Sequence, residues 1–196
     1  MAGQSIMTGE SRGRLGRLPG DLTHGELVDR ILRVDHAGEY GAVRIYAGQL
    51  AVLGRSASAG ALQHMAAQER RHLERFEQLM SERRVRPTAL QPLWHLAGFA
   101  LGAGTALLGE RAAMACTVAV EQVIDEHYRH QAETLTSQAD ADETPLVETI
   151  SRFRDEEIEH RDMALARGAE QAEGYEVLSA AIKLGSRLAI WLSERI

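Results

Sequence analysis

Glu-x-x-His occurs twice in this 196-residue chain, at Glu69/His72 and at Glu157/His160. At i, i+3 on a helix the two side chains lie one turn apart on the same face, so each copy offers a carboxylate and an imidazole to one point in space. Such a pair can bind a metal ion. Both copies interrupt apolar stripes that advance in steps of three and four. The first runs Leu62, Met65, Glu69, His72, Phe76, Leu79 and the second Leu146, Ile150, Phe153, Glu157, His160, Ala164. The ionisable residues therefore hold core positions, where a carboxylate without a partner costs roughly several kcal/mol, the scale on which single defects unfold small domains.

The elements that must position these pairs are helices, and two more helices supply further carboxylates. Glu39 lies on a stripe with Val28, Leu32, Val43, Tyr46 and Leu50, and Glu121 on one with Met114, Val118, Ile124, Tyr128 and Leu135. Each precedes one Glu-x-x-His copy by about thirty residues, so the chain reads as a repeated unit of Glu helix, turn and Glu-x-x-His helix. Four inward carboxylates with no basic residue on their stripes would repel one another. Metal resolves the conflict, and one Glu from each of two helices plus Glu-x-x-His from each of two others is the ligand set of a dinuclear centre in a four-helix bundle.

Abundant Ala, Leu, Glu and Arg, few aromatics and no useful period-two pattern predict an all-α fold. The length suits one compact domain, read here as residues 21–196, preceded by a flexible tail at 1–20 rich in Gly, Ser and Arg. A net charge of −6 without a basic stripe argues against nucleic acid as a partner. Cys116 is the only cysteine, so an intrachain disulfide is impossible and a reducing compartment is expected; off the Glu121 stripe, it reads as a small core residue.

Between Arg86 and Glu110 there is no formal charge. That length would cross a bilayer, which takes about twenty apolar residues. The ligand geometry forbids a crossing, because Glu39, Glu69 and His72 would then sit on the opposite side from Glu121, Glu157 and His160. The segment at about 86–109 is instead the long connection that a ferritin-like bundle needs between its halves, and its composition places it on or in a membrane surface. His95 within it reads as interfacial. The C-terminal helix at about 175–196 agrees, with a narrow polar face of Glu176, Ser179, Lys183, Arg187 and Glu194 against a wide apolar one that includes Val177, Ile182, Leu188 and Trp191. The expected protein binds a membrane peripherally and takes an apolar substrate.

Two ferrous ions would balance the four carboxylates, and an oxygen-rich set with only two imidazoles suits iron or manganese better than copper or zinc. The chemistry expected is oxygen activation. Glu156 and Asp35 are the candidates to orient the His ligands through their second ring nitrogen. Tyr128, two turns beyond Glu121 on the same stripe, is a candidate to lie beside the substrate or relay an electron, with a plain core tyrosine as the alternative; His127 precedes it.

The run Asp35-His36-Ala37-Gly38-Glu39-Tyr40-Gly41-Ala42, with Glu69-Arg70-Arg71-His72-Leu73, Thr117-Val118-Ala119-Val120-Glu121 and Phe153-Arg154-Asp155-Glu156-Glu157-Ile158-Glu159-His160, resembles the demethoxyubiquinone hydroxylase family of ubiquinone biosynthesis. The resemblance covers nearly everything after residue 20. It implies a membrane-bound di-iron monooxygenase that hydroxylates the ring of a polyprenyl benzoquinone with O2 and electrons ultimately from NADH. It further implies that Glu39, Glu69 and His72 hold one iron and Glu121, Glu157 and His160 the other, with Glu69 or Glu121 and Glu157 bridging. Tyr128 and His127 would lie near the quinone as catalytic residues, and the uncharged connection and last helix would admit its isoprenoid tail. Other ubiquinone-biosynthesis proteins are the implied partners. The absence of a long presequence points to the cytoplasmic face of a bacterial inner membrane, or to the mitochondrial inner membrane in a eukaryote. A quinol oxidase, a ferritin-like ferroxidase and a metal-free scaffold are the rival readings.

Overall fold

Burying the stripes around the six Glu and His residues requires four helices to face one another, and the computed structural model, which describes residues 20–137 and 143–196, has that form. The helices are α1 His24–Leu53, α2 Ala59–Arg83, α3 Gln91–Leu107, α4 Glu110–Ser137, α5 Thr144–Ala166 and α6 Tyr175–Ser193, with a 3-10 turn at Ala169–Gln171. The fold is all-α, a ferritin-like four-helix bundle of α1, α2, α4 and α5 with a long apolar crossover and an extra C-terminal helix. The flexible tail expected at 1–20 lies, apart from Gly20, outside the described residues.

Local signals fix the helix ends. Thr23 and Glu26 form a reciprocal capping box at the start of α1, satisfying two otherwise unpaired backbone donors. Pro145 opens α5, where its missing N–H costs nothing. Ahead of α2, Ser58 gives both its backbone N–H and its hydroxyl to Glu110 at the start of α4, which pins the α1–α2 turn against the second half of the bundle.

The two halves of the bundle are the pairs α1–α2 and α4–α5. All six residues of the first Glu-x-x-His stripe and all six of the second are buried. On α1, Val43 and Leu50 are only half-buried, whereas Ile45, Gly48 and Gln49 are buried. The reason is that α1 carries a second packed face, against α3. Gly98 and Gly102 of α3 and Gly48 of α1 let these two backbones touch: a Cβ at Gly102 would overlap the Ile45 carbonyl oxygen, and one at Gly48 that of Phe99. The uncharged connection is thus a helix laid along α1.

On α6 the expected division of faces is partly inverted. Ser179, placed on the polar face by sequence, is buried, and so is Ser193, whose hydroxyl accepts from Trp94 Nε1 at 3.0 Å. Val177, Leu184, Leu188 and Trp191 point outward. The small polar residues face inward, where α6 packs on α4 and α1, while the larger apolar ones remain uncovered. Leu93, Leu96 and Leu107 do the same on α3. No helix among the described residues is long and apolar enough to cross a membrane.

Candidate metal centre

The stripes of α1, α2, α4 and α5 bring Glu39, Glu69, His72, Glu121, Glu157 and His160 to one buried point. None of the six is more than 3% exposed, so water cannot serve their charges. Their ligand atoms form two groups, each lying within 4.8 Å: Glu39, Glu69, His72 and Glu157 in one, and Glu69, Glu121, Glu157 and His160 in the other. Glu69 and Glu157 are common to both. Glu121, which sequence left as a third bridging candidate, belongs to one group only.

Both imidazoles turn Nδ1 inward. His72 Nδ1 lies 3.0 Å from Glu157 and 3.4 Å from Glu39, and His160 Nδ1 lies 3.0 Å from Glu69 and 3.1 Å from Glu157. Close approach does not satisfy these atoms. Glu39 Oε2, Glu69 Oε1, His72 Nδ1 and Glu157 Oε1 are all buried without a hydrogen-bond partner, their lone pairs converging on shared space. That is the arrangement a cation completes, and no Lys or Arg is buried among the described residues to do so.

The electrostatics of the bare cluster are conflicted. Burial pulls both imidazoles down, but the facing carboxylates win and push His72 up to about 12 and His160 up to about 11. Burial, reinforced by the neighbouring carboxylates, drives Glu69 and Glu121 well above the usual carboxylate range. Burial also acts to raise Glu157, yet its two His partners hold it near 2. Without a metal the cluster must retain protons on acids and bases together. Divalent cations replace those protons with charge of the right sign.

The groups around the six are organised as a repeat. Tyr46, at i+7 from Glu39 on α1, donates to Glu121 at 2.8 Å, while Tyr128, at i+7 from Glu121 on α4, donates to Glu39. On α5, Glu156 takes His72 Nε2 at 3.1 Å, as expected. Its counterpart Gln68, one residue before Glu69, takes His160 Nε2 at 3.1 Å. Asp35 does not orient a His of the cluster. It accepts from Gln131 at 2.7 Å and faces His127 at 3.4 Å, because its position one turn before Glu39 aims it at α4 rather than at α2 or α5. His127, largely buried, thus stands beside Tyr128 but outside the six. His95 accepts from or donates to the Tyr40 hydroxyl at 2.7 Å, and Cys116 is a buried core thiol that burial pushes up to about 12, leaving it inert.

Gln68 was not among the residues singled out from sequence, and Tyr46 was read only as a core position on the Glu39 stripe. The internal repeat contains the signal: Gln68-Glu69-x-x-His72 aligns with Glu156-Glu157-x-x-His160, and Glu39-x6-Tyr46 with Glu121-x6-Tyr128.

Beside the cluster lies an apolar cavity of about 310 Å³ between α1, α3, α4 and α6. Its inner wall is Val34, Gly38, Val120 and Ile124, each next in sequence to a residue just described or within one turn of one. Trp94, Gly98, Gly185 and Ala189 form its outer walls. A volume of that order suits a substituted aromatic ring.

A helical bundle that converges two Glu-x-x-His pairs and two further Glu on one buried point is a carboxylate-rich ferritin-like protein. Residues 26–193 match the family described as ubiquinone biosynthesis protein COQ7. The 3-demethoxyubiquinol 3-hydroxylase of Rhodospirillum rubrum is 62% identical over 181 residues, which span 92% of this chain and 84% of that protein. The human mitochondrial NADPH-dependent 3-demethoxyubiquinone 3-hydroxylase is 57% identical over 169 residues, 86% of this chain and 78% of the relative. The mitochondrial 5-demethoxyubiquinone hydroxylase of Saccharomyces cerevisiae is 44% identical over 182 residues, with 86% and 78% covered. The chain belongs to the COQ7 family of demethoxyubiquinone hydroxylases.

Proposed function

We propose that this protein is a peripheral membrane di-iron monooxygenase that hydroxylates the benzoquinone ring of a demethoxyubiquinone-type polyprenyl intermediate, using O2 and electrons from NADH. The observation that carries the reading is the apolar cavity set one helix seam from a buried cluster of four Glu and two His. Glu39 and His72 would serve one iron, Glu121 and His160 the other, and Glu69 and Glu157 both. The donor set fits iron, being hard and oxygen-rich with two borderline imidazoles. Two iron ions held there would supply the reductive activation of dioxygen.

The chain's own groups do the rest. The four carboxylates would hold the ions, and Glu156 and Gln68 hold the imidazole rings so that Nδ1 faces inward. Tyr46 and Tyr128 each donate a hydrogen bond to a carboxylate of the opposite half, and burial beside those carboxylates keeps the phenol protons in place. Val120 and Ile124 keep water from the ring while it waits beside the cluster. The exposed leucines of α3 and α6 would seat the open side of the cavity in the lipid surface, so the polyprenyl tail reaches it without crossing water. The inner membrane, on its cytoplasmic or matrix side, is the location this implies, with other ubiquinone-biosynthesis proteins as neighbours.

Gly185 gives a direct test. A Cβ there meets nothing within 4 Å, so a larger side chain enters the cavity rather than clashing with backbone. Gly185→Leu is expected to lower quinone turnover by about tenfold or more, since one displaced ring contact costs roughly 1–3 kcal/mol, while iron content and helicity stay unchanged. Full turnover with an unaltered KM for the quinone would remove the cavity from the account.

A further inference from the structure

The two halves of the cluster are related by the internal repeat, and they differ at the imidazoles. Glu69 and Glu157 are shared, Glu39 matches Glu121, and the tyrosine donors match each other. His72 and His160 are not matched. His72 Nε2 meets the carboxylate of Glu156, and His160 Nε2 meets the side-chain amide of Gln68. The orientation of that amide is forced. Glu156 Oε2 accepts from Gln68 Nε2 at 3.0 Å, which leaves only the carbonyl oxygen of Gln68 for the N–H of His160.

A second difference falls on the same side. At the repeat positions around the tyrosines, Asp35 corresponds to Thr117 and His127 to Ile45. The ionisable Asp35–His127 pair stands next to Tyr128, the donor to Glu39, whereas the donor to Glu121 has Thr117 and Ile45 in the equivalent places. Ionisable outer groups therefore gather around the Glu39–His72 half, and groups without an ionisable proton around the Glu121–His160 half.

An imidazole whose outer N–H donates to a carboxylate is a stronger metal donor than one donating to an amide. We infer that the two metal positions are inequivalent by construction, the Glu39–His72 position binding its ion more tightly, and that the exchange of Glu156 for Gln68 across the repeat sets the order. Glu156 and Gln68 are positioning residues in this scheme, acting through His72 and His160. The inference rests on the metal reading above.

The test needs no turnover. The full chain, stripped of metal, is titrated without air with Co(II) while its visible absorption is followed against a competing chelator. His160→Ala retains the His72 position and His72→Ala the His160 position. The first is expected to bind its ion about 10–100-fold more tightly than the second, the range that outer hydrogen-bond partners of metal ligands command. Adding Glu156→Gln, a near-isosteric change at a partly exposed residue, should remove that advantage in the His160→Ala protein. Adding the pair Glu156→Gln and Gln68→Glu to both should reverse the order. Equal affinities, or an order indifferent to these exchanges, would overturn the inference while leaving the metal site intact. Failure of the unsubstituted chain to bind two Co(II) ions would instead overturn the metal reading, and the inference with it.

Discussion

Glu157→Ala is expected to leave a helical protein that holds neither ion and has no hydroxylase activity. Glu157 is the carboxylate that faces both imidazoles, at 3.0 Å from His72 and 3.1 Å from His160, and it belongs to both ligand groups. Its loss should weaken each position by more than the roughly 100-fold that an outer-partner change can produce. The fold should survive. Alanine is the better helix former, by a few tenths of a kcal/mol, and the change relieves Glu69 and Glu121 of a repelling neighbour. Glu39→Ala makes the informative comparison, since Glu39 belongs to one group only and its loss should spare one ion. Iron content by elemental analysis beside far-UV circular dichroism reads both outcomes. Two ions retained in the Glu157→Ala protein would break the ligand assignment.

The second large effect concerns the lipid surface. Leu96 is 69% exposed and Leu184 71%, so charging both should cost the fold little. Burying a leucine side chain is worth about 2 kcal/mol, and two of them together about three orders of magnitude in partitioning. Leu96→Asp with Leu184→Asp is therefore expected to release the protein from uncharged phosphatidylcholine vesicles in a sedimentation assay, with metal content unaltered. Undiminished vesicle binding would assign the outward leucines of α3 and α6 to some other contact.

The ligand stripes were legible in the sequence because a carboxylate on an apolar face contradicts its neighbours, and Glu39, Glu69, Glu121 and Glu157 all do so. Helix periodicity converts that contradiction into a location, which is why the all-α bundle and its converging residues could be read together. Glu156 was reachable by the same logic, being adjacent to a stripe. Asp35 was misdirected because one turn along α1 rotates the side chain towards α4, and the rotation depends on how the helices cross rather than on spacing. The helical form of the uncharged connection has its signal in Gly98 and Gly102, spaced to let a second backbone approach, with Gly48 as the answering position. The outward apolar residues of α6, Val177, Leu188 and Trp191, belong to the face that sequence assigned to membrane contact. The burial of Ser179 was out of reach, because amphipathic patterning places a polar residue on the outer face.

In the proposed reaction, the cluster and the adjoining cavity add an oxygen atom from O2 to a quinone ring. The measurement that meets it most directly is the mass of the quinone after the iron-loaded chain, a short-chain demethoxyquinone and NADH are exposed to oxygen-18 gas. A ring-hydroxylated product carrying one labelled oxygen is expected. Oxygen consumed with the quinone unchanged would contradict it and return the site to the quinol oxidase or ferroxidase readings.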